Sequence, residues 1–83
     1  MTYPKRTVDL EAGDVLCMYG ARDRVTKVLD VHPERRYTAV SVMAEALSRS
    51  GGVGEPRFMC LDNQYVQVEL PKGYKVVAVP EEA

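Results

Sequence analysis

The stretch RVTKVLDVHPERRYTAVSVM, residues 24–43, decides the fold of this 83-residue chain. Apolar residues recur on both sides of a short central segment, HPER, at 32–35. Pro33 has a fixed φ and no backbone donor, so it favours a turn at this point. The pattern predicts a β-hairpin whose core face carries Val25, Leu29, Val31, Val40 and Val42.

A second hairpin is predicted farther along the chain. The runs RFMCLD (57–62) and YVQVEL (65–70) flank Asn63 and Gln64, and apolar residues occupy every second position in both runs. Such alternation is typical of strands with one buried face. The residues expected on that face are Met59, Leu61, Val66, Val68 and Leu70. Further strands are predicted at 7–10, 15–19 and 74–79.

The predicted fold class is all-β. A chain of this length cannot build two separate hydrophobic cores, so we expect a single domain. The division is a flexible N-terminal arm at 1–6, one β domain at 7–80 and an acidic tail at 81–83. The domain is predicted to be a meander of five to six antiparallel strands in a partly open barrel. Residues 44–49 fit either one short helical turn or a frayed strand end.

Two segments resemble the first and last strands of SH3-like barrels in the spacing of their turns. They are LEAGDVL at 10–16 and LPKGYKVVAV at 70–79. The resemblance implies a small barrel of the SH3-like type. Because strands this short curl readily, an OB-like barrel is the alternative.

The bulk properties favour an oligomer over other means of stabilisation. A domain this small buries too little surface to be more than marginally stable. Cys17 and Cys60 are expected to be free, buried thiols, since no signal peptide is visible and the predicted location is cytoplasmic. One histidine and two distant cysteines give no metal-binding spacing, so neither a metal nor a cofactor is predicted. No apolar run is long enough to span a bilayer, so no membrane partner is expected.

The glycine-rich segment SRSGGVGEPRF, 48–58, has the composition of a phosphate-binding loop but not the required order. Glu55 and Pro56 follow Gly54 where a Walker loop needs a lysine and a hydroxyl residue. Arg57 stands where a dinucleotide fingerprint needs its third glycine. A mobile connector is the expected role, and a binding loop anchored by Arg49 and Arg57 is the alternative.

A catalytic function is not predicted. His32 precedes a proline at a hairpin tip and has no nucleophile near it in sequence. Cys17 and Cys60 lie in apolar strands, an environment that disfavours the reactive thiolate. The carboxylates are scattered and form no acid–base pair. We therefore expect a protein that is not an enzyme.

The faces turned away from the predicted core carry more apolar residues than a solvent-exposed surface needs. Either the sheet folds over on itself, or the outer face contacts another molecule. The second interpretation predicts a non-enzymatic interaction module, either a homo-oligomer or an adaptor or inhibitor with a protein partner. The small size also fits an accessory protein of a phage or other mobile element. The predicted interface residues are Val28, Tyr37, Met43, Phe58 and Tyr65.

Nucleic-acid or nucleotide binding is the alternative function. Arginines would hold phosphates while bases stack on aromatic rings at Tyr37, Phe58 and Tyr65. The net charge of −1 gives no strong phosphate-neutralising surface, so this alternative ranks second. The candidate phosphate-binding residues are Arg24, Arg36, Arg49 and Arg57.

Overall fold

The computed structural model describes residues 1–71, which form one antiparallel sheet of six strands. The strands are β1 (Thr2–Arg6), β2 (Val15–Met18), β3 (Ala21–Pro33), β4 (Thr38–Ala46), β5 (Arg57–Leu61) and β6 (Tyr65–Glu69). A single 3-10 turn, Thr7–Asp9, follows β1 where a short strand was predicted. The all-β class is confirmed. The strand predicted at 74–79 and the tail at 81–83 lie outside the described residues.

The order of the strands in the sheet is β1-β6-β2-β3-β4-β5. Strands β2 to β5 form the expected meander, but β6 lies between β1 and β2 and does not pair with β5. The predicted second hairpin is therefore wrong. Only residues 62–64 connect β5 to β6, a span of at most about 14 Å from Leu61 to Tyr65. The sheet must therefore curve strongly to bring β5 near β6, although β1 and β5 do not pair and the sheet is not closed.

The N-terminal segment is a strand, so the expectation of a flexible arm is wrong for residues 2–6. β1 pairs with β6 along its whole length, from Thr2 opposite Glu69 to Arg6 opposite Tyr65. Pro4 suits this position because β1 is an edge strand of the described sheet and proline lacks a backbone donor. With β1 on one side of β6 and β2 on the other, neither edge of β6 is left for a hairpin with β5.

The register of the first hairpin differs from the prediction. The turn is at 34–37, where the Glu34 amide donates to the Tyr37 carbonyl over 2.8 Å, rather than at 32–35. Val31 therefore pairs with Val40. Two bulges in β3, between Val25 and Lys27 and between Val28 and Asp30, shift the pairing again toward the start of the strand. A bulge re-aims the side chains that follow it.

The core lies on the inner face of the curved sheet. Its buried residues are Leu10, Leu16, Val25, Val40, Val42, Ala44, Leu61, Val66 and Val68. Leu29 and Val31 were predicted to be core residues, but they are 42% and 43% exposed. β2 pairs only with Ala21–Arg24 of β3. Both residues lie on the part of β3 that extends past β2. Of the inward face predicted for residues 59–70, Leu61, Val66 and Val68 are buried and Met59 packs partly against the core, but half-buried Leu70 is not part of the core cluster.

Residues 44–49 contain no helical turn. β4 continues to Ala46, and Leu47 forms an isolated antiparallel bridge to Val53. The alternative of a frayed strand end is the correct one, because the backbone of this segment pairs with Arg22–Val25 of β3 and with Val53 rather than with itself. Within residues 1–71, no helix has the length and apolar composition that crossing a membrane requires.

Candidate binding surfaces

Two of the five predicted interface residues form one patch on the outer face of the sheet. Met43 of β4 and Phe58 of β5 are directly paired, so their side chains lie side by side on the same face. Their neighbours Val42 and Met59 point to the core, which makes the Met43–Phe58 face the outer one. Phe58 is 61% exposed, and Cys60 on the same strand is exposed too. Met43, Phe58 and Cys60 are called the Phe58 patch below.

The other three predicted interface residues lie elsewhere. Val28 pairs with Val42 and packs partly against the core, so its placement on the outer face is wrong. Tyr37 is half exposed in the turn between β3 and β4. Tyr65 is 53% exposed at the start of β6, three strands away from β4 in the sheet order. The predicted single interface is thus divided between separate surfaces.

The four candidate phosphate-binding arginines are not brought together. The Nε of Arg24 donates to Glu45 over 2.7 Å, and an Nη of Arg57 donates to the buried carboxylate of Asp23 over 3.1 Å. Arg24 pairs with Glu45 and Arg57 pairs with Ala44, successive residues whose side chains point to opposite faces of β4. Their charges are already partly neutralised. Arg36 lies in the hairpin turn, and Arg49 lies in the loop after β4.

The glycine-rich loop folds back onto the end of β4. The Ser48 amide donates to the Gly52 carbonyl over 2.9 Å, and the Gly54 amide donates to the Ala46 carbonyl over 2.8 Å. Gly51 has a φ of 89°, which glycine adopts without strain. The Ser48 hydroxyl accepts from the Gly52 amide over 2.7 Å. These amides are therefore engaged within the loop and with the end of β4, and they are not free to bind a phosphate.

A cleft of about 510 Å³, called the hairpin cleft, opens beside the β3–β4 turn. It is formed where the end of β1, the β3–β4 turn and the β5–β6 connection meet. Its charged lining residues are Arg6, Glu34, Arg36 and Asp62. Thr7, Val8, Tyr37, Thr38, Asn63 and Gln64 complete the lining. Of these residues, only Arg36 and Tyr37 are among the site residues predicted from the sequence.

Buried Thr7 fixes the floor of the hairpin cleft. Its amide donates to the Gln64 carbonyl over 3.0 Å, and its hydroxyl donates to the Asn63 carbonyl. Those two bonds anchor the short connection between β5 and β6 to the segment after β1. The cleft is therefore preformed by hydrogen bonds between elements far apart in sequence. For this reason no local sequence motif predicted it.

A second, smaller cleft of about 210 Å³, called the turn cleft, lies at the β2–β3 turn. Its lining residues are Cys17, Met18, Tyr19, Asn63, Tyr65, Val66 and Gln67. Tyr19 and Gly20 have φ values of 53° and 77°, the pattern of a two-residue mirror-image hairpin turn. Tyr19 is fully exposed. An aromatic residue at a positive φ was not anticipated, because asparagine or aspartate is the usual signal for such a position.

The histidine and the two cysteines were considered above as catalytic or metal-binding residues, and the structure places them as follows. The Nε2 of His32 lies 3.1 Å from the Asp30 carboxylate on the part of β3 that extends past β2. Both side chains are about half exposed. Cys17 and Cys60 are free, on β2 and β5, with β3 and β4 between them in the sheet. Cys60 is exposed and Cys17 is only half-buried, so the prediction of a buried thiol is wrong for Cys60 and holds only in part for Cys17. Within residues 1–71, no three histidine, cysteine or carboxylate side chains are grouped to hold a metal ion.

No family model matches the chain, and no curated protein or solved structure is significantly similar to it. The function is therefore argued from the surfaces described above.

Proposed function

We propose that this protein is a non-enzymatic interaction module that self-associates, or binds a target protein, through the Phe58 patch. The observation that carries the proposal is the pairing of Met43 with Phe58 on the outer face, with Phe58 61% exposed. Aromatic and methionine side chains are enriched at protein interfaces, and contiguous exposed apolar patches mark interaction sites.

Two further features support self-association. β5 ends the described sheet, so the patch lies at its margin, where a second copy can approach without displacing another described strand. A domain of 83 residues also gains stability from burying more apolar surface than its own core provides. With a net charge of −1, two copies repel each other only weakly.

The curved sheet is proposed to be a partly open barrel of the SH3-like type, with the OB-like type as the alternative. The return of β6 to β2 after the β2–β5 meander supports this proposal, as does the three-residue connection between β5 and β6. Nucleic-acid binding ranks lower because Arg24 and Arg57 are held by carboxylates. We place the protein in the cytoplasm on its sequence, and an accessory role in a mobile element fits its size.

Native mass spectrometry of the gently purified full chain tests the proposal. A multimer in the wild type that becomes a folded monomer in Phe58→Asp is the expected result. Tyr65→Asp is the matched control, because this aromatic is similarly exposed but lies on a different surface. A wild-type monomer that carries a retained nucleotide would refute the proposal, and so would a multimer whose mass is the same in Phe58→Asp.

A further inference from the structure

The hairpin cleft and the turn cleft are adjacent. Asn63 lines both of them, and the pair of neighbouring clefts is called the Asn63 groove below. Three exposed tyrosines line it: Tyr37 in the hairpin cleft, and Tyr19 and Tyr65 in the turn cleft. Tyrosine offers a large contact area with few torsions to restrict and a hydroxyl for a hydrogen bond, so it is favoured at recognition sites. Because the rings are distributed over two neighbouring clefts, a ligand that contacts all three has to be elongated rather than compact.

The charges of the groove argue against a polyanion. Arg6 and Arg36 line the hairpin cleft together with Glu34 and Asp62, which makes its formal charge zero. Arg6 also lies 4.0 Å from Asp9. A phosphate backbone would meet two carboxylates in the same cleft and would release few counterions, so little binding energy would result. A ligand with both donors and acceptors and a low net charge is the better match.

The amide side chains point to the chemistry of that ligand. Asn63 and Gln64 each offer one acceptor and one amino donor, the same pair of groups that a peptide bond presents. Their backbone is held by Thr7, so these side chains stand on a rigid support. Preorganised groups lose less entropy when a ligand binds.

We propose that the Asn63 groove binds an extended peptide segment of a partner protein. Apolar or aromatic side chains of the segment pack on the rings of Tyr37, Tyr65 and Tyr19, and a carboxylate of the segment pairs with Arg36. This site is separate from the Phe58 patch and stands whether or not the chain self-associates. Together, the two surfaces would make the protein an adaptor.

The test uses a random dodecapeptide phage library panned against the immobilised full-length protein. An enriched peptide is synthesised with a fluorescent label, and its affinity is measured by anisotropy. We expect Tyr65→Ala and Arg36→Ala to weaken binding about tenfold or more, as loss of an aromatic or arginine anchor does. The matched controls are Arg35→Ala, beside Arg36 but outside the groove lining, and Phe58→Ala. Both controls should bind as the wild type does.

Tyr19→Asn provides a second variant if Tyr65→Ala does not fold, since asparagine tolerates the positive φ of that position. The same assay is run with labelled single-stranded (dT)12. The proposal is overturned if no peptide is enriched, if the controls weaken binding as much as the groove variants, or if (dT)12 binds more tightly than the peptides. Loss of peptide binding in Phe58→Ala alone would assign the peptide to the Phe58 patch instead.

Discussion

Replacing Phe58 by alanine should weaken self-association about 100-fold. The side chain is 61% exposed in the single chain. With about 200 Å² for a phenylalanine side chain, about 120 Å² per copy is left to be covered by a partner. At about 25 cal/mol per Å², this area corresponds to about 3 kcal/mol per copy and about 6 kcal/mol for two copies. Association recovers only part of such a transfer energy, and half of it, about 3 kcal/mol, changes Kd about 100-fold.

Sedimentation equilibrium over a range of concentrations measures this change. Phe58→Ala removes an exposed ring without burying a charge, so the fold should be retained, and circular dichroism checks this directly. Tyr65→Ala, which removes a ring of similar exposure from another surface, should leave Kd within about twofold of wild type, as expected for sites that do not share a contact. The reasoning fails if the wild type is monomeric at every concentration, or if Phe58→Ala and Tyr65→Ala change Kd equally.

Three further predictions concern stability. Leu16→Ala should lower the free energy of unfolding by about 3 kcal/mol, measured by urea denaturation, because Leu16 is fully buried. Leu29→Ala should lower it by less than about 1 kcal/mol. Equal losses in the two variants would contradict the register described. Arg57→Ala should cost about 1–2 kcal/mol because it leaves the buried Asp23 carboxylate without this partner, and unchanged stability would show that water replaces the guanidinium. The wild type should lose thermal stability as the pH rises above about 10.5, and Lys5→Gln should not show this loss. If the melting temperatures of the two proteins change equally between pH 9 and pH 11, this expectation is contradicted.

The sign of the pH effect follows from the surroundings of Lys5. Burial opposes its charge, but the 2.8 Å hydrogen bond to Asp14 and the attraction of Asp14 and other nearby acidic groups outweigh burial and raise its pKa above 10.5. A group whose pKa is higher in the folded protein stabilises it fully below the unfolded-state pKa. That contribution is lost as the pH rises through the folded-state value. The titration therefore destabilises the protein on the alkaline side.

The candidate sites were only partly visible in the sequence. Met43 and Phe58 were selected because each is apolar and lies on the face opposite the core, a property that alternation along a strand reports. Tyr19 and Arg6 were missed. Tyr19 lines the turn cleft because it lies in a tight turn that lacks the usual asparagine. Arg6 lines the hairpin cleft because its strand pairs with β6, which lies almost sixty residues away.

The sequence by itself determined that the chain is all-β and, for residues 59–68, which side chains point inward. The alternation in residues 59–68 placed Leu61, Val66 and Val68 in the core correctly, because the direction of side chains along a strand is a local, two-residue property. It did not determine which strand pairs with which. Backbone hydrogen-bonding groups are chemically alike in every strand, so they do not select a partner strand. The partner is determined by which arrangement of the whole chain lets all strands form their hydrogen bonds. Only the tertiary structure decided that β1 takes the edge of β6, that β5 and β6 separate, and that Thr7 ties their connection into the floor of a groove.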